Sequence, residues 1–291
     1  MFYRREFAII VFLGLVVCPV FSSAAEVTKE ARFGLFTGQV VIKGKGPMAN
    51  GMAFFFNEAA GPPPSSTKYW RVPGEAFSTS DSGRFTAQVP EGKYYMGALK
   101  KLSGDQIGPP QHGDPFFISQ DVNGKPRVHA IKKGDTVDLG ILEAIPFDSL
   151  TLANKDVTAF EGVVLDANGK PVEGLLVFAF ATQTIVGRPL FVSDRSGKDG
   201  SYRLRVAEPG FYYLRARESY GGGPLREGEL KGVYGDREPA ERLFIQYGAT
   251  VKGIDIKVYR FEGRGPVGPV PGKEFVPGKE FVPGKELVPG K

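Results

Sequence analysis

The chain has 291 residues, 42% of them hydrophobic and 24% charged, enough for two domains with cores of their own. Its formal charge of +5 is spread along the chain without a Lys/Arg block, which excludes the basic patch that nucleic-acid binding needs. Its 39 Gly and 23 Pro exclude long helices, because inside a helix Gly costs about 1 kcal/mol and Pro about 3 kcal/mol.

Residues 1–25 read as an export signal. Arg4 and Arg5 form a charged start, 7–18 is an apolar run, and Ser23-Ala24-Ala25 supplies the small residues that a signal peptidase needs. The run is shorter than the roughly 20 residues that span a bilayer, so cleavage near Ala25 is expected, with no transmembrane segment in the mature chain. Tyr3-Arg4-Arg5-Glu6-Phe7 resembles the twin-arginine export pattern. Leu15-Val16-Val17-Cys18 resembles a lipoprotein box, with Val17 in place of a small residue and Pro19 after the cysteine. Cys18 is the single cysteine, so cleavage would leave no disulfide, thiolate metal site or thiol nucleophile. The expected location is the bacterial periplasm or the exterior.

A first β domain is expected over 32–145, with strands at 35–42, 52–56, 68–72, 84–89, 93–99, 115–119 and 136–143. Phe54-Phe55-Phe56 suits a central strand packed on both sides. After a linker at 146–156, a second domain is expected over 157–262, with strands at 159–165, 175–181, 190–193, 201–206, 211–217, 242–246 and 251–259. The two share one grammar of alternating apolar residues and turn punctuation. Asp199-Gly200 followed by Tyr202, Leu204 and Val206 answers to Asp81, Gly83, Phe85, Ala87 and Val89. Pro209-Gly210 followed by Tyr212, Leu214 and Ala216 answers to Gly92, Tyr94, Met96 and Ala98. The fold class is therefore all-β: two tandem seven-stranded Greek-key β-sandwiches followed by a disordered repeat tail over 263–291.

The motifs of the second domain, from Gly162, Val164, Asp166, Gly169 and Pro171 through Asp199-Gly200 to Pro209-Gly210, resemble those of the carboxypeptidase regulatory-like domain. That family is a transthyretin-like sandwich with a carbohydrate-binding-like fold, similar to the B-type repeats of bacterial collagen adhesins. The first domain resembles a divergent cousin, with Gly44-Lys45-Gly46 at its first turn and a Pro-rich loop at 61–66. The resemblance implies an accessory module of the kind that stands beside a catalytic or membrane domain, and it does not imply peptidase activity; no cofactor is expected.

The tail repeats Val-Pro-Gly-Lys-Glu-Phe, resembling elastin's Val-Pro-Gly repeats at a different period. Each Pro-Gly suits a type II turn. Phe275, Phe281 and Leu287 mark evenly spaced apolar pairs that suit docking to a partner's sheet edge. Tyr69, Trp70 and Arg71 lie between Pro-rich segments and suit either core packing or a stacking platform for a sugar ring. His112 and His129 have no metal-ligand spacing around them, and His112 with Asp114 is the one acid-base pair close in sequence. Asp194, Ser196 and Asp199 offer oxygens for a cation, but the spacing suits a hairpin turn better. Gly221-Gly222-Gly223 lacks the strand and helix of a phosphate loop and reads as an interstrand loop. The functional expectation is a non-enzymatic module for envelope assembly or adhesion, with an envelope protein as partner. The alternative is binding of extracellular polysaccharide through the first domain's aromatic residues.

Overall fold

The computed structural model describes residues 32–152, 157–185, 187–221 and 223–263. No α-helix occurs among them. The first part of the chain forms β1 (Phe33–Ile42), β2 (Gly46–Pro47), β3 (Met52–Asn57), β4 (Trp70–Arg71), β5 (Glu75–Ser78), β6 (Arg84–Pro90), β7 (Gly92–Leu99), β8 (Pro115–Ile118), β9 (Val128–Ile131) and β10 (Thr136–Pro146). In one sheet β1 lies between antiparallel β6 and parallel β10. In the other, β5, β3 and β7 run antiparallel, and β8 and β9 share the far side of β7.

Alternation builds the core between these sheets. On β6, Phe85, Ala87 and Val89 point inward while Arg84, Thr86 and Gln88 face water. They meet Phe36 and Val40 of β1, Phe55 of β3, and Tyr94 and Met96 of β7. Strand β3 is buried on both faces, as its Phe run requires: Phe55 enters this core, and Phe54 and Phe56 pack with Tyr95 and Leu99 on the other side. The boundary expected at 145 falls inside β10. Strands β5 and β9, of four residues each, are too short to carry the alternation by which the other strands are read.

The second part forms β11 (Thr158–Leu165), β12 (Leu176–Phe180), β13 (Phe191–Val192), β14 (Ser201–Val206), β15 (Gly210–Arg217), β16 (Leu230–Val233), β17 (Leu243–Ile245), β18 (Thr250–Val251), β19 (Ile256–Lys257) and β20 (Tyr259–Arg260). The arrangement repeats. Strand β11 lies between antiparallel β14 and parallel β18 and β19, and β15 lies between β12 and the pair β16 and β17. Phe160, Val177, Phe191, Leu204, Leu214 and Ile256 are central to its core. The last strand, expected unbroken over 251–259, is divided into β18, β19 and β20, and β16 was not anticipated.

The duplication extends to individual hydrogen bonds. Val40 N donates to Gly83 O and Met48 N donates to Val40 O, at 2.8 and 2.9 Å; Val164, Gly200 and Val172 repeat the pattern at 2.9 and 2.9 Å. The Thr79 hydroxyl accepts from Gly51 N and donates to Met48 O; Ser196 accepts from Leu175 N and donates to Val172 O. Tyr94 donates its hydroxyl to Pro90 O at 2.8 Å, and Tyr212 donates to Glu208 O at 2.9 Å. Gly83 and Gly200 have φ of +73° and +72°, and a Cβ would stand 2.3 and 2.6 Å from Val40 O and Val164 O. Neither turn admits a side chain without strain.

One strand breaks the symmetry. β4 leaves the first domain and pairs antiparallel with β13, Trp70 opposite Val192 and Arg71 opposite Phe191. It thereby ends the sheet ordered β20-β16-β15-β12-β13-β4. The two sandwiches belong to one compact unit.

Candidate functional site at the junction of the two sandwiches

The segment expected at 68–72 to be a strand of the first domain is extended, but its partner is in the second. The Trp70 side chain enters a shared apolar cluster with Val72, Phe147, Leu176, Phe178, Phe180 and Val192. Its ring meets Phe147 edge-on at 5.5 Å, and Phe147 meets Phe116 in the same way at 5.5 Å. Trp70 Nε1 donates to Asp194 Oδ1 at 3.0 Å. With 6% of its surface exposed, Trp70 presents no face on which a sugar could stack.

Tyr69 packs edge-on against Phe191 at 5.5 Å and donates its hydroxyl to Pro63 O. Burial pushes this phenol up to about 12, against the lowering effect of Arg71. The Arg71 guanidinium donates to Pro62 O and Asn57 O and lies 5.6 Å from the Phe56 ring centre. Burial lowers its pKa. The sequence trio Tyr69, Trp70 and Arg71 is therefore brought together at the junction, tethering the Pro-rich 61–66 loop beneath it. Phe275, Phe281 and Leu287 lie outside the described residues, as do residues 1–25.

Phe147, expected in a linker, is buried in this junction. Its N–H donates to Asp114 O, and its carbonyl accepts from Gly113 N, both at 2.8 Å. Each large apolar side chain so buried contributes about 1.5–3 kcal/mol. A joint of this kind resists hinge motion because bending would expose apolar surface.

Beside the joint is a cleft of about 260 Å³ lined by Lys101, Asp105, His112, Ser149, Asp194 and Arg195, among others. Its charges are occupied. The Asp114 carboxylate pairs with Lys101 Nζ at 2.9 Å, with side chains 2% and 3% exposed, and accepts from Leu102 N and Gln111 N. Asp194 holds Trp70 and Arg205, and Arg195 faces Asp105 at 3.6 Å. His112 turns away from Asp114: its Nδ1 approaches Asp148 at 3.5 Å and Ser149 Oγ at 3.4 Å. A hydrolytic triad needs acid and nucleophile on opposite ring nitrogens, whereas here both approach Nδ1. Nε2 of the other histidine, His129, is 2.9 Å from Ser119 Oγ. Burial, reinforced by Arg127, holds its pKa below the usual value.

The remaining oxygen-rich and glycine-rich segments have structural roles. Asp199 accepts from Ser201 N and Oγ, bonds that depress its carboxyl pKa, and closes a hairpin turn. The carbonyls of Gly221 and Gly223 accept from Arg217, so their loop turns acceptors, not N–H donors, toward this cation. Among the described residues no three His, Cys, Asp or Glu converge to hold a metal, and no helix is long and apolar enough to cross a membrane.

Sequence reasoning missed a patch at the far end of β15. Phe211 and Phe244 stand opposite each other on β15 and β17, each 52% exposed, with ring centres 5.0 Å apart. The Arg242 guanidinium covers Phe211 at 4.4 Å. Alternation from the inward Tyr212 and Leu243 carried the signal, since it assigns both Phe side chains to the outer face.

No protein-family model matches the chain, and no curated protein matches it. Among solved structures it is similar to the Bacillus anthracis TIE protein, at 13% identity and a TM-score of 0.24, with 79% of this chain and 34% of that one covered. It is also similar to a streptococcal ancillary pilin, at 13% identity and 0.24, covering 78% and 63%. A third is a minor pilin of Streptococcus agalactiae, at 12% identity and 0.23, covering 82% and 99%. The chain thus spans about a third of the first of these proteins and less than two thirds of the second.

Proposed function

We propose that this chain is an exported, non-enzymatic module for assembly or adhesion at the bacterial cell envelope, acting in the periplasm or outside the cell with a protein partner. One observation carries the reading: the charged side chains at the cleft are spent on holding the molecule together, Asp114 on Lys101 and Asp194 on Trp70 and Arg205. Asp114, Lys101 and Asp194 are committed to structural bonds, and Trp70 joins two sandwiches into a stiff body. Stiffness suits a part that positions other molecules. The repeated sandwich suits membership of the carboxypeptidase regulatory-like family, whose members serve as accessory modules. The signal at 1–25 supplies the route.

In-cell crosslinking of the envelope is the test, comparing the full chain with one ending at Phe261. Recovery of the same envelope protein in repeated captures, lost when purified unlabelled chain competes, is the expected outcome. Recovery of no protein by either form would overturn the proposal.

A further inference from the structure

We propose that the Phe211–Phe244 patch is the docking site for this chain's own tail, with Phe281 seated on the two rings and Glu280 on Arg242. This inference does not depend on the assembly reading. Its first support is an internal comparison. Gly92, Lys93 and Tyr94 pair with Ile131, Ala130 and His129, in the register by which Gly210, Phe211 and Tyr212 pair with Ile245, Phe244 and Leu243. Where the second sandwich exposes Phe opposite Phe, the first places Lys93 opposite Ala130. The fold does not require an aromatic pair there.

The second support is chemical complementarity. Arg242 covers Phe211 and makes no ion pair with any described residue. The patch therefore offers two half-exposed rings beside an unneutralised cation. The tail offers the matching dipeptide in Glu274-Phe275 and Glu280-Phe281, and a related one in Glu286-Leu287. A guanidinium next to an apolar surface pairs with a carboxylate more strongly than one in open water.

Reach is the third support. Tyr259 of β20 pairs with Lys231 of β16, which pairs with Arg217 of β15, so Tyr259 lies about 10 Å from Arg217 at the usual strand spacing. Phe211 is about 20 Å further along β15 at the usual rise, and Gly263 adds at most about 13 Å beyond Tyr259. The site is thus about 20–35 Å from where the described chain stops. A random coil of the length that separates Gly263 from Phe281 in sequence would have a root-mean-square span of about 23 Å and a full reach of about 55 Å. At that match the tethered repeat has a local concentration in the millimolar range, which favours the chain's own tail over a neighbour's.

The test uses the full chain carrying Cys18→Ser and Lys279→Cys, with a paramagnetic label on the new thiol, followed by amide NMR. The expected result is selective loss of the Phe211 and Phe244 signals, relative to those of Lys93 and Ala130, that persists on dilution. Phe211→Lys, which copies the first sandwich, should restore the Phe244 signal without shifting the thermal midpoint. Phe281→Ser should weaken the loss. Equal signals at the two positions, or a loss that survives Phe211→Lys, would overturn the proposal. So would a loss transmitted only from a labelled chain to an isotopically enriched, unlabelled one, because the occupant would then be a neighbour's tail.

Discussion

The two sandwiches place the same hydrogen bonds at the same turns and then diverge on their outer faces. At the position after the Gly turn into the second hairpin strand, one has Lys93 and the other Phe211; opposite Tyr94 stands His129, and opposite Tyr212 stands Leu243. The Tyr hydroxyls and Gly turns are retained because each satisfies a backbone group or avoids a collision that no other residue can. Outward positions carry no such constraint. Function is therefore to be sought where the two copies differ: the donated β4, the joint it makes and the exposed aromatic pair.

The largest expected effect breaks the joint. Trp70→Ala should cost about 3–5 kcal/mol through the lost ring and the cavity left behind. Urea unfolding should then separate into two transitions, one for each sandwich. A single transition with an unchanged midpoint would show that the shared cluster does not couple them.

Next come the paired turns. Gly83→Ala and Gly200→Ala should each cost about 1–3 kcal/mol, since a side chain at positive φ is strained and its Cβ meets a carbonyl. Similar losses by thermal or urea unfolding would support the equivalence of the two turns, whereas a loss in one alone would break it. Tyr94→Phe and Tyr212→Phe remove one hydrogen bond each and should cost about 1 kcal/mol apiece, measured in the same way.

The smallest effect is confined to the first sandwich. Burial lowers the His129 pKa in the folded state, so the folded protein holds fewer protons there than the unfolded chain. Stability from this group is full above the unfolded value of about 6.5 and declines as pH falls through the folded pKa. His129→Gln should flatten that part of the stability curve, read by urea midpoints between about pH 7.5 and 5. A slope unchanged in the variant would assign the decline to other groups.

Most of the scaffold could be read from residue order. The alternation of Phe85, Ala87 and Val89, or of Tyr202, Leu204 and Val206, fixes which face is buried before any partner is known. The Phe54-Phe55-Phe56 run likewise announces a strand covered on both sides. Alternation does not identify the partner strand. Trp70 and Val72 show the pattern of buried residues, yet nothing local distinguishes a strand paired within its own domain from one given to the next. The aromatic patch escaped for the opposite reason. Phe211 and Phe244 are apolar residues at polar-face positions, and an expectation that assigns apolar residues to the core has no place for them. His112 and Asp114 looked like partners by spacing, but the backbone turn at Gly113 sends one to the surface and the other into an ion pair with Lys101.

The donated strand also sets an order in time. Trp70 and Asp194 are 124 positions apart in sequence. A chain that leaves the ribosome N-terminus first can pair β1 with β6 before Asp194 has been made, but β4 must wait without its partner strand, its indole only partly covered by Phe147, until β12 and β13 arrive. The first sandwich is thus expected to persist for a time as a nearly finished body carrying one sticky, unmatched edge. Its successor supplies both a second domain and the cover for that edge, so the interval between the two is when the molecule is most exposed to misassociation.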